Sequence, residues 1–104
     1  MTETVTSRNG VPVRLTDERW AHIVEEHCEL AGLRDEVPET ISEPERILAG
    51  HGGELLAVRH LDPRTGLVVI YREVTPADGF VITAFLTTQL SKLERRQTLW
   101  PPPT

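Results

Sequence analysis

The sequence predicts an α+β fold, with N-terminal helices packed on an antiparallel β-meander of three to four strands. Two observations carry this. Residues from Thr16 to about Leu30 repeat apolar side chains at the 3.6-residue period of a surface helix, whereas from Gly52 onward three β-rich runs alternate with Pro- and Gly-containing connectors. Helices first and strands afterwards is the order expected when helices cover one face of an antiparallel sheet.

Met1 to Gly10 is polar and is expected to be a flexible N-terminus. Val11-Pro12-Val13-Arg14-Leu15 alternates as a short edge strand, a position where Pro12 is tolerated because no ladder donor is required of it. Thr16 is a good N-cap, and Asp17 and Glu18 follow in the first turn, where the helix dipole favours negative charge. The helix should run to about Leu30 before Gly32 stops it. At about 100° per residue, Trp20, Ile23, Val24, His27 and Ala31 fall within roughly 80° of one another, which predicts that this stripe faces the body of the protein and that His27 points inward. His22 lies about 140° away, on the polar face with Glu18, Glu25 and Glu26.

A second helix is expected from about Leu33 to Ile41, with Pro38 restricted to an early position or a break. Ser42-Glu43-Pro44-Glu45 reads as a turn or cap leading to a single turn around Arg46-Ile47-Leu48. The strand runs are Glu54 to His60, Leu67 to Val74 and Phe80 to Thr87. Asp-Pro-Arg-Thr-Gly and Thr-Pro-Ala-Asp-Gly separate them, so two consecutive hairpins follow. Gln89 to Trp100 forms a last short helix or an extended strap, and the Pro101-Pro102-Pro103 end cannot continue any helix. The organisation is a flexible segment 1–10, a single α+β domain 11–100 and a Pro-rich tail 101–104.

A chain of 104 residues supports one domain with a modest core. No apolar run approaches the ~20 residues that span a bilayer, and no basic-then-apolar signal opens the chain, so a soluble protein without membrane association is expected. Cys28 is the single cysteine, which excludes an internal disulfide and points to a reducing, cytoplasmic setting. The net charge of -5 counts against tight nucleic-acid binding, since phosphate neutralisation needs clustered Lys or Arg. Charge is uneven, however. Most acids lie between Glu3 and Glu54, while Arg59, His60, Arg64, Arg72, Lys92, Arg95 and Arg96 make the second half more basic.

Four strings carry a resemblance: His-Ile-Val-Glu-Glu-His at 22–27, Ser-Glu-Pro-Glu-Arg-Ile at 42–47, Leu-Val-Val-Ile-Tyr-Arg at 67–72 and Phe-Val-Ile-Thr-Ala-Phe at 80–85. Their order, spanning about Leu15 to Leu86, resembles the phage-associated branch of the barnase, EndoU, colicin E5/D and RelE-like nuclease superfamily, small α+β domains that are mostly metal-independent ribonucleases. In that arrangement a helix-borne His or other polar group meets basic and hydroxyl groups from the sheet. The resemblance implies a catalytic set of His27, Arg72 and Thr83, no cofactor and no metal, and RNA as substrate, with a toxin or phage-derived effector as the setting. The acidic charge departs from most ribonucleases.

The residue chemistry suits those roles. Metal-free RNA cleavage needs a base for the ribose 2′-OH, an acid for the departing 5′-oxygen and a cation for the transition-state charge. Histidine transfers protons near neutrality, the Arg72 fork matches two phosphate oxygens, and Thr83, read as lying between Val81 and Phe85 on one side of its strand, supplies an oriented hydroxyl. Arg59, His60 and Tyr71 are secondary, substrate-binding candidates. Each residue also has a structural explanation: a core histidine bonded to backbone, a snorkelling strand-end arginine, a β-forming threonine. Trp20 and Trp100 read as core and cap, and Cys28 as a small hydrophobe. The alternative to an enzyme is a non-catalytic interaction domain of the same fold, binding a basic protein partner or forming a homodimer. A metal hydrolase built on His22, His27, His51 and His60 is a weaker reading, because no two of them have ligand spacing.

Overall fold

The computed structural model describes residues 1–102. It contains a seven-stranded mixed sheet in the order β1-β2-β6-β5-β4-β3-β7, made of β1 (Thr2–Thr6), β2 (Pro12–Thr16), β3 (Arg46–Ala49), β4 (Leu55–His60), β5 (Gly66–Thr75), β6 (Asp78–Thr87) and β7 (Thr98–Trp100). The α-helices are α1 (Asp17–Glu26) and α2 (Glu36–Ser42). This corrects the expectation of helices on a meander of three to four strands: a β-hairpin precedes the helices, and the sheet is wider and mixed.

The three central strands follow the expected hairpins, β4 to β5 to β6, all antiparallel. Around them lie the elements that change the architecture. Met1 to Gly10 is not a frayed segment, because Thr2–Thr6 pairs with Pro12–Thr16 along its whole length. That hairpin moves β2 off the edge and sets it against β6 in parallel, with Val13 opposite Gly79 and Arg14 opposite Phe80. Arg46–Ala49 is a strand and not a helical turn, bonded to β4 on one side and to β7 on the other. Of the expected tail 101–104, residues 103 and 104 lie outside the described residues.

Both sheet faces are covered, unequally. On one, α1, α2 and the 3₁₀ turn Cys28–Leu30 bury Val13, Leu15, Ile23, Leu30, Val37 and Ile41 against Leu67, Val69, Tyr71, Val81 and Ala84 of the sheet. On the other, a 3₁₀ turn at Leu90–Leu93 lays Leu90 and Leu93 over Leu48, Leu56, Val58 and Val68, joined by Ile70 and Phe85. Gly66 allows that second contact, since a Cβ there would sit 2.7 Å from a Leu90 methyl carbon. A Cβ on Gly79 would lie 2.6 Å from the Arg72 carbonyl oxygen of β5 and 3.4 Å from the Pro12 carbonyl oxygen of β2, so glycine is what lets the antiparallel neighbour β5 come that close.

One irregularity matters for the site. Ile70 pairs with Thr83 and Tyr71 with Val81, which leaves Ile82 as a bulge without a partner. The extra residue turns Val81 toward the helices and Thr83 toward the opposite side, so the two do not share one side of the strand as strict alternation implies.

Candidate functional site at the α1 and β6 junction

The β2–β6 pairing ends at Arg14 and Phe80, and the chain then turns into α1, which runs beside the second half of β6. Thr16 caps the helix by accepting from the Arg19 backbone N–H at 3.0 Å. Arg19 Nη1 in turn donates to the Ile82 carbonyl oxygen at 3.4 Å, which ties the first turns of the helix to the bulge. Between them lies an open cleft of about 260 Å³ lined by Arg19, His22, Ile23, Glu26, Ile82 and Thr83. Buried Ile23 forms its floor. Arg19 also borders a second depression with Arg14, Thr16, Phe80 and Val81.

Arg19, His22 and Glu26 fall within about 60° of one another on α1, one stripe of the helix at i, i+3 and i+7. The stripe sets a cation, an imidazole and a carboxylate beside β6 at Ile82 and Thr83, a grouping able to hold an anion and move a proton. His22 and Glu26 lie on the face that the sequence predicts to be solvated, and neither they nor Arg19 are among its candidates for a catalytic set. The stripe was readable from spacing alone; what it faces was not, because nothing local says that β2 stops short and leaves half of β6 to the helix.

His27 stands elsewhere. The α-helix ends at Glu26, and His27 is its C-cap with φ -132° and ψ 71°, so the angular projection that aimed its ring at the core no longer applies. Its side chain is 32% exposed, with Nδ1 3.5 Å from Glu29 Oε1. The ring centroid is 6.2 Å from that of Phe85, two residues beyond Thr83 on β6. Cys28, read as a small hydrophobe, is exposed.

Arg72 is engaged at the β3–β4 side. Its Nη2 donates to the Gly52 carbonyl oxygen at 2.9 Å and lies 3.5 Å from Glu54 Oε2. Backbone N–H bonds, from Gly52 first, hold the Glu54 carboxyl below its usual range, with the Arg72 charge adding to them. Among the cavities described, none is lined by His27 and Arg72 together, whereas Thr83 joins His22.

The substrate-binding candidates are likewise occupied by the protein. Arg59 pairs with Glu36 and donates from Nε to Thr40 Oγ1 at 3.2 Å, which fastens α2 to β4. His60 Nδ1 lies 2.7 Å from Glu45 Oε1, and its backbone N–H donates to Oε2 at 2.9 Å. Burial pushes the Glu45 carboxyl up, but the bonds to His60 outweigh it and leave the group below its usual value. Tyr71 is fully buried among the helix-face residues, its hydroxyl has no hydrogen-bond partner, and burial raises its ionisation far above the ordinary range.

Among the described residues no three His, Cys, Asp or Glu side chains are grouped as metal ligands, and no helix is long and apolar enough to cross a membrane. Comparison with protein-family models, with curated proteins and with solved structures gives no match to this chain.

Proposed function

We propose that this protein is a small metal-independent ribonuclease, a toxin or phage-derived effector related to the barnase, EndoU, colicin E5/D and RelE-like superfamily, which cleaves RNA by attack of the 2′-OH on the adjacent phosphate. The observation that carries the reading is the cleft in which Arg19, His22 and Glu26 of α1 face Thr83 of β6. His22 takes the 2′-OH proton and returns a proton to the departing 5′-oxygen, with Glu26 one turn on to orient the ring. Arg19 holds the phosphate oxygens as charge builds on them, with Thr83 at the β6 wall of the cleft. His27, at the end of the same helix, lies where a flanking nucleotide would pass. The reaction belongs to the cytoplasm, a reducing compartment in which an unpaired Cys28 is stable.

Purified protein is incubated with total RNA and with tRNA in excess chelator, alongside His22→Ala, His27→Ala and Thr83→Ala. The expected result is cleavage by the parent and a loss of about 100-fold or more in His22→Ala, in line with the usual contribution of a proton-transfer group. No cleavage by the parent, or equal rates in all four proteins, removes the enzyme reading.

A second reading, a non-catalytic interaction domain of this fold, draws support from Arg59, His60 and Arg72. Each is bound by a carboxylate of its own chain and so is unavailable to substrate. This reading expects a protein partner or a homodimer; a monomeric mass in solution with no co-purifying protein contradicts it.

A further inference from the structure

We propose a second anion site on the C-terminal strap, formed by Lys92, Arg95 and Arg96 with His51, which grips the phosphodiester backbone of single-stranded RNA. The choice of RNA rests on the ribonuclease reading above; the existence of the site does not. Lys92 lies in the 3₁₀ turn Leu90–Leu93 and Arg95 just beyond it, and with Arg96 and His51 they line an open depression of about 390 Å³ against Ala49 and Gly50 of the β3 end. Lys92 and Arg95 also border a neighbouring depression with Ser91. No carboxylate lines either one.

The clustering of unpaired cations is the reason for assigning a ligand. Arg14, Arg34, Arg59 and Arg72 each have an Asp or Glu within ion-pair distance, and Arg8, Arg19, Arg46 and Arg64, which have none among the described residues, are scattered along the chain. Among the described residues, no ion pair involves Lys92, Arg95 or Arg96, although Glu94 stands exposed between them in sequence. In a chain of net charge -5, three cations concentrated in five residues and left without a carboxylate form a local positive field, and the surrounding acids confine anion binding to that place. Arg96 is already preset, because its Nη1 donates to the Ala49 carbonyl oxygen at 3.3 Å and so fixes the side chain at the rim.

The packing under the strap reaches β6, the strand that borders the cleft. Leu90 and Leu93 beneath it pack in the cluster that includes Phe85, and Phe85 lies beside His27 at the end of α1. From β6 to β3 is three strand spacings, about 14 Å, a span that one flexible single strand covers and a mononucleotide does not. The strap therefore supplies affinity through phosphate contacts without reading base identity.

The test measures binding in chelator by fluorescence anisotropy, using a labelled single-stranded RNA 12-mer and, as a non-phosphate polyanion, polyglutamate of matched charge. Both proteins carry His22→Ala so that the probe survives, and one also carries Lys92→Glu and Arg95→Glu. The expected result is RNA binding that weakens with salt in the first protein and falls at least tenfold in the second, with polyglutamate bound at least tenfold more weakly than RNA by the first. Both altered residues are exposed, and unchanged thermal melting certifies the fold of the charge-reversed protein. Equal RNA binding by both proteins, no RNA binding by either, or polyglutamate bound as tightly as RNA overturns the proposal. RNA binding that passes these tests in a protein whose parent cleaves nothing would overturn the enzyme reading and leave the strap site standing.

Discussion

The two faces of the sheet are built on different scales. The helix face closes over residues drawn from β2, α1, α2 and the central strands, and Val37, Ile41, Leu67 and Tyr71 there have no exposed surface. The strap face is closed by one 3₁₀ turn, and its covering residues Leu90 and Leu93 remain half-buried. Stability should thus reside on the helix face and accessible chemistry at its margin and on the strap, where side chains are free to meet a ligand.

Truncation on the two faces sharpens that contrast. Ile41→Ala leaves a cavity in the helix-face core and should cost about 3 to 4 kcal/mol in urea unfolding, whereas Leu93→Ala should cost about 1 kcal/mol because half of that side chain already meets water. Equal losses would mean that the strap is as much a part of the core as the helices. Tyr71→Phe removes the unpartnered hydroxyl while keeping the ring, and should raise stability by about 1 kcal/mol. A loss there would reveal a hydrogen bond that the phenol makes in solution.

The smallest effect expected is the response to acid. Asp17 is held low by the N-terminal amine and Arg34, and Asp62 by the backbone N–H groups of Arg64 and Thr65; Glu45 and Glu54 are lowered as described above. The unfolded chain takes up protons at these sites first, at the ordinary values of 3.8 for Asp and 4.5 for Glu. Their contribution is fully present above that range and is lost as pH falls through the lower folded values. Thermal melting temperature should therefore drop on acidification below about pH 4.5, and Glu45→Gln with Asp62→Asn should make the drop shallower. An unchanged acid profile in that double variant would show that the His60 and turn contacts contribute nothing.

What the sequence made legible was local. The strands from Leu55, Gly66 and Asp78 announce themselves through β-branched runs set off by Asp-Pro and Pro-Ala-Asp-Gly turns, and Thr16 announces the start of α1 as a cap. The elements that widened the sheet are short or polar and gain their stability from distant partners. Thr-Glu-Thr-Val-Thr reads as a frayed end until β2 pairs with it, and Arg46-Ile47-Leu48-Ala49 reads as a turn after Pro44 until β4 and β7 flank it. The parallel contact of β2 with β6 joins residues 66 apart in sequence, Val13 and Gly79, and no local pattern encodes it.

The same non-local contact decided the candidate site. Because the pairing of β2 with β6 stops at Arg14, α1 lies along β6, and its polar stripe becomes the wall of a cleft. Thr83 was singled out from the sequence and does line that cleft, but the bulge at Ile82 gives it a different neighbour set from the one alternation implies. His27 is separated from it because α1 ends at Glu26, about four residues short of the Leu30 end that the sequence predicts.

The most direct measurement of the central claim is the chemistry of the newly formed RNA ends, read by mass spectrometry after digestion in chelator. The account predicts 2′,3′-cyclic phosphate ends from the parent protein and from His27→Ala, with at least a hundredfold fewer from His22→Ala. Ends bearing 5′-phosphate and 3′-hydroxyl, or cyclic phosphate made equally by His22→Ala, would contradict it.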